Sequence, residues 1–97
     1  KSEIAEIVHI TPSQKTNDLV NKIVLIENAD PGYDWIFGYN IKGLITKYGG
    51  ANSHMAIRAA ENNVLAGLGV GEKNFNSYVL AKRIELNSEK QFIRVIN

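Results

Sequence analysis

The chain has 97 residues, enough for one domain with a modest hydrophobic core. Eleven Lys and Arg against ten Asp and Glu leave a formal net charge of +1, so neither nucleic acid nor a membrane surface is an expected partner. Cysteine is absent, which excludes disulfides and thiolate chemistry and fits a cytoplasmic location, and no apolar run approaches the roughly 18 residues of a membrane span.

The first eleven residues mix two periods. Ile4, Ile7 and Val8 fit a helical face, while Val8 and Ile10 alternate around His9; the expectation is a strand over 7–10 after a linker turn, with His9 exposed. Pro12 and its polar neighbours read as a loop to about residue 21, anchored by Leu19 and Val20. The continuous apolar run at 23–27 reads as a strand covered on both faces. A turn follows at 28–32, and Asp30 is a candidate cap for a short helix over 32–38. Tyr33, Ile36 and Phe37 fit its buried side, and the aromatic cluster around Trp35 reads as core packing before it reads as a ligand platform.

A second strand is expected over 41–46, where Gly43 marks a close backbone approach or a bend. Gly49-Gly50 breaks it. A helix over 53–62 then opens on Ser53 as N-cap, with Ala56, Ile57 and Ala60 sharing a face and Asn62-Asn63 as the stop. A third strand is expected at 64–66. Gly67, Gly69 and Gly71 read as close turns; the third glycine comes one residue early for a dinucleotide fingerprint, and Glu72-Lys73-Asn74 shows no helical apolar pattern. Residues 78–96 read as a terminal hairpin whose return strand, apolar on both sides, is the more buried. This order favours a mixed α/β domain.

His54 is the residue with chemistry to offer. A helix N-terminus presents unpaired amide N–H groups and the positive end of the peptide dipoles, so a phosphoryl group on His54 would sit in a favourable field. A neutral imidazole nitrogen has a lone pair that can attack phosphorus. The glycine pair lets a bulky donor come close. Ser53 can cap the helix or donate to a phosphoryl oxygen, and Lys47 and Arg58 are the nearby cations, Arg58 one turn beyond His54. A metal reading is poor: two histidines stand far apart, with no HxxxH or HExxH spacing. A serine nucleophile at Ser53 lacks the GxSxG context.

The run from Gly43 to Ile57 resembles the swivelling phosphohistidine domain of phosphoenolpyruvate-utilising enzymes, a family that includes phosphoenolpyruvate synthase, pyruvate phosphate dikinase, enzyme I of the phosphotransferase system and rifampin phosphotransferase. The family pattern Thr-x-x-Gly-Gly-x-x-Ser-His-x-Ala-Ile is met at Thr46, Gly49, Gly50, Ser53, His54, Ala56 and Ile57. Weaker similarity takes in Lys22 to Glu27, Asp30-Pro31 and Gly69, so the resemblance spans residues 20–97. It implies an α/β fold of the swivelling β/β/α type, a mixed sheet with packed helices, and residues 1–97 as a single mobile domain cut from a multidomain phosphotransferase, inactive alone.

By the same resemblance, His54 is the phosphoryl carrier, through Nε2, with Ser53 beside it. Thr46, Gly49, Gly50 and Arg58 form or support the phosphate loop. The implied partners are an ATP-grasp domain that supplies phosphate from ATP and a barrel domain that uses Mg2+ to pass it to an acceptor such as pyruvate. Phosphoenolpyruvate is the other implied donor, and no cofactor or metal is implied in this domain itself. The alternative is a non-catalytic structural or protein-binding domain of the same fold. Three positions depart from the pattern: Ala60 stands where the family often has arginine, Asn63-Val64-Leu65 replaces Gly-Ile-Pro, and Asn52 replaces the threonine that is phosphorylated for regulation in the dikinase.

Overall fold

The computed structural model describes residues 2–11, 18–50, 53–90 and 92–96. Positions 12–17 of the expected loop and the Asn52 departure lie outside the described residues.

Six strands form one sheet in the order β4-β3-β2-β1-β5-β6. β1 (Ser2–His9), β2 (Ile23–Asn28), β3 (Gly43–Tyr48) and β4 (Leu65–Gly67) run parallel, in register Val8↔Val24, Val24↔Leu44 and Leu44↔Ala66. β5 (Arg83–Asn87) and β6 (Phe92–Val95) add an antiparallel hairpin on the other side of β1. A 3-10 helix (Pro31–Gly38) joins β2 to β3, α1 (His54–Glu61) joins β3 to β4, and α2 (Glu72–Val79) joins β4 to β5.

The period-two alternation of the strands divides the core. Val24, Ile26 and Leu44 point to the face covered by Tyr33 and Ile36 of the 3-10 helix and Met55 of α1. Ile23, Leu25 and Ile45 point to the opposite face, where Phe75 of α2 and Ile84 and Leu86 of β5 pack. The run at 23–26 is therefore fully buried because both faces of β2 are covered. Gly43 is the expected close approach: a Cβ there would overlap the Leu86 side chain folded over the sheet. The structure is thus a mixed α/β fold with a curled sheet and packed helices, as the swivelling β/β/α domain requires.

Four expectations need correction. β1 spans Ser2–His9, with no linker turn over the described part of the segment, because residues 2–6 pair with Arg83–Asn87, some eighty residues away. His9 is half-buried rather than exposed, its ring edge-on to Phe75 with centroids 5.5 Å apart. The segment after the glycine turns forms α2, whose Phe75, Tyr78 and Val79, at i, i+3 and i+4, pack on the second face of the sheet, Phe75 buried and the other two half-buried. β6 is the less buried strand of the hairpin, since it forms the sheet edge, whereas Ile84 to Leu86 of β5 are buried between neighbours.

Candidate functional site

The loops that follow β2, β3 and β4 meet at the carboxyl ends of the parallel strands, where open α/β sheets place their ligands. Ala29 N–H donates to Tyr48 O at 3.2 Å. Gly49 has φ +121°, and a Cβ there would lie 2.5 Å from the Ala29 methyl. Gly69 has φ +64°, and a Cβ there would lie 2.5 Å from Gly49 O. Glycine is required at both positions for backbone angle and for space.

Thr46 ties the layers together from within. It is fully buried near the end of β3; its Oγ1 accepts from Gly69 N–H at 2.9 Å and its carbonyl from Val70 N–H at 3.0 Å. It supports the loop from within the core. Gly50 is exposed, with open space where a Cβ would be, and its carbonyl accepts from Ser53 N–H at 3.0 Å.

Ser53 is the N-cap of α1, as expected: φ −71° and ψ 159° are extended, and Oγ accepts from Ala56 N–H at 3.2 Å. The hydroxyl hydrogen is left to donate elsewhere. Met55 and Ala59, one helical turn apart, are the buried residues of α1, so Ile57 on the opposite side is exposed. His54, the first residue of the helix, stands between these faces with 46% of its side chain exposed.

His54 has a partner that the sequence did not announce. Its Nε2 lies 3.2 Å from Oδ1 of Asp34 in the 3-10 helix, and the same oxygen accepts from Arg58 Nε at 2.8 Å. Arg58 also stacks its guanidinium 5.6 Å from the Phe37 ring centroid and reaches Glu61 at 3.5 Å. Arg58 is therefore no ordinary solvated charge; one carboxylate oxygen joins it to His54. Lys47 is turned over the Tyr48 ring, at 5.3 Å. Asp30 caps the 3-10 helix, accepting from Gly32 N–H at 2.8 Å.

The helix type explains why Asp34 was overlooked. A 3-10 helix repeats every three residues, so Pro31, Asp34 and Phe37 share one face and Tyr33 and Ile36 the other. The expected α-helical spacing placed Phe37 with Tyr33 and Ile36 on the buried side. The period of three turns it to the Asp34 face, where both meet Arg58, while its half-buried ring still packs against the cluster that holds Tyr33 and Ile36. The Asp30-Pro31 start was the available signal, because counting by threes from Pro31 reaches Asp34.

The Arg58 hydrogen bond holds the Asp34 carboxyl below its ordinary value, with a smaller pull from His54 and some opposition from desolvation. Asp34 in turn raises Arg58, which stays charged throughout. Because the folded-state value is depressed, this contribution to stability is complete above the ordinary carboxylate range of about pH 4. It is lost as pH falls through the depressed value. An NMR titration should therefore show the Arg58 Nε–H resonance unchanged down to about pH 4 and moving only below it. A midpoint above the ordinary carboxylate range would contradict the pairing.

Among the described residues, no group of three or more His, Cys, Asp or Glu is placed to hold a metal ion. No helix of the described residues is long and apolar enough to cross a membrane. A cleft of about 370 Å³ between β4 and the β5–β6 hairpin is lined by residues such as Leu65, Gly67, Leu86 and Ile93, and does not include His54, Asp34 or Arg58.

A comparison with curated proteins returns no match. The family described as PEP-utilising enzyme, mobile domain, matches residues 20–93. Such domains carry phosphohistidine between active sites and occur in multidomain phosphotransferases. The matched residues cover most of the chain, from the end of the segment before β2 to the terminal hairpin, and they hold His54, Asp34 and Arg58. The chain belongs to the mobile-domain family of PEP-utilising enzymes.

Proposed function

We propose that this chain is a phosphoryl carrier whose His54 takes phosphate from ATP or phosphoenolpyruvate bound on one domain and delivers it to an acceptor, such as pyruvate, on another. The observation that carries this reading is the placing of His54. It is half-exposed at the N-terminus of α1, at the carboxyl ends of the parallel strands, with the Arg58 guanidinium joined to it through Asp34.

The physical logic follows. The first amides of α1 and the guanidinium of Arg58 supply positive potential for a phosphoryl group on the ring. Ser53 caps the helix through its oxygen and retains a hydrogen for a phosphoryl oxygen. Gly50, exposed and without a side chain, leaves room for a donor domain to dock. Arg58 supplies cationic charge although Ala60 occupies the position where family members often have arginine. Mg2+ serves the acceptor domain of the parent enzyme in this reading, as the family resemblance implies.

In this reading the parent protein is a synthase- or dikinase-like phosphotransferase with an ATP-grasp donor domain and a separate acceptor domain. The two substrates bind apart, so the covalent intermediate travels. The test uses the full-length protein that contains this chain, with ATP labelled at the β or γ phosphate or with labelled phosphoenolpyruvate. Acid-labile, base-stable label is expected on His54 and is expected to vanish in His54→Ala. Label that persists in that variant would sink the assignment.

A further inference from the structure

The hydrogen bond between Asp34 and His54 conflicts with an accepting role for Nε2, and the conflict is informative. An ionised carboxylate only accepts hydrogen bonds, so Asp34 Oδ1 at 3.2 Å from Nε2 requires the proton to be on Nε2. A ring nitrogen that bears a proton has no lone pair to offer phosphorus. The carboxylate also fills the space a phosphoryl oxygen would take, and two anions cannot share it at close range. With Asp34 in place, Nε2 is both protonated and covered.

We propose that Asp34 is a latch on His54: its carboxylate blocks Nε2 and occupies Arg58 in the resting state, and it is displaced when a phosphoryl group arrives. The proposal rests on the reading of His54 as the carrier. Three features of the structure make the exchange feasible. Asp34 is 40% exposed, so rotation of its side chain returns the charge to water without burying it. The 3-10 helix that carries it has weaker backbone geometry than an α-helix and yields more easily. Arg58 keeps Glu61, on its own helix, and the Phe37 ring when the Asp34 side chain rotates away. Its Nε–H, now on Oδ1, is then free for a phosphoryl oxygen, a charge-assisted bond of the same kind.

The step balances without a further reagent. Asp34 rotates away and the ring proton passes through water from Nε2 to Nδ1. The Nε2 lone pair forms the N–P bond as the bond from phosphorus to the leaving group breaks, and that electron pair departs with the leaving group. The ring keeps the Nδ1 proton and a positive charge until the proton passes to water. On transfer, Nδ1 takes a proton back from water, the acceptor's oxygen bonds to phosphorus as the N–P bond breaks, and that electron pair returns to Nε2. The ring proton then passes through water from Nδ1 to Nε2, and Asp34 returns to Nε2 and Arg58. The resting state is thereby protected from donors that cannot displace a carboxylate.

The test uses this chain with phosphoramidate, a small donor that needs no partner domain and loses ammonia. Phosphorus NMR distinguishes phosphorylation at Nε2 from Nδ1, and mass spectrometry of the peptide locates it. Asp34→Ala should be labelled at His54 Nε2 about threefold to tenfold faster than the native chain, the factor expected from releasing one charge-assisted hydrogen bond at an exposed site. Asp34→Asn, nearly isosteric, should also be faster, and amide spectra of both variants report whether the fold is kept. Nitrogen-15 spectra of the imidazole should find the proton on Nε2 in the native chain and shifted towards Nδ1 in Asp34→Ala.

Label on His54 at an unchanged or lower rate in both variants overturns the latch and leaves the carrier reading standing. Label on Nδ1 of the native chain also overturns it, because Asp34 would then be a lasting partner of Nε2 that orients the ring. Absence of label from His54 here and in the ATP or phosphoenolpyruvate experiment removes the carrier and the latch together.

Discussion

Gly69→Ala is expected to destabilise the chain by roughly 2 to 4 kcal/mol and to disorder the loop behind His54. Two costs add at this position. The backbone is at φ +64°, where an L side chain is strained. The new methyl would also stand 2.5 Å from Gly49 O, and a backbone atom cannot move aside as a flexible side-chain tip can. The nearest relief is a shift of the loop after β3, which leads directly into Ser53 and His54. It would also stretch the bond from Gly69 N–H to the buried Thr46 Oγ1. Thermal unfolding should fall by at least about 10 °C, and the amide signals of Gly49, Gly50 and Ser53 should move most. Stability within about 0.5 kcal/mol of the native chain would show that the three loops do not brace one another.

Ile26→Ala should destabilise by roughly 2 to 5 kcal/mol, the range for removing a large aliphatic side chain from a packed interior. Ile26 is fully buried and belongs to the cluster that also holds Tyr33, Ile36 and Met55. Those residues anchor the two elements that carry Asp34 and His54, so the cavity would open beneath the site. Leu25→Ala is the control: it is equally buried in the neighbouring strand position but faces Phe75 and β5. Comparable stability losses are expected, with the Arg58 Nε–H resonance disturbed by Ile26→Ala and left in place by Leu25→Ala. An equal disturbance from both would mean that the two faces of the sheet are not independent supports.

Much of the fold could be read from the residues because the signals were local. The apolar run at 23–26, the cap at Ser53 and the glycine break before it each depend on neighbours within a few positions. What escaped depends on distant or unusual geometry. The full length of β1 comes from β5, so nothing in residues 2–6 alone distinguishes strand from turn. α2 was hidden because its first turn is polar and its apolar residues, Phe75, Tyr78 and Val79, come only in its second half. At the candidate site, His54, Ser53 and Arg58 could be found along one helix, whereas Asp34 comes from another element. A carboxylate on a short helix is ordinary surface until the period of three brings it beside Arg58. Thr46, expected to form or support the phosphate loop, ties strand to loop from a buried position, through a contact twenty-three residues away.

β1 is also the seam between the two halves of the sheet, parallel to β2 on one side and antiparallel to β5 on the other. The elements around His54, from β2 to β4, are contiguous in the chain and can assemble through short-range steps. β1 has both of its neighbours only after Ser2 to Glu6 have found Arg83 to Asn87. Closing a loop of that length costs chain entropy before any contact repays it, so this pairing is expected to be the slow step of folding. Mutations along the β1–β5 seam should therefore reveal, in refolding kinetics, whether the scaffold of the carrier histidine forms before the sheet is complete.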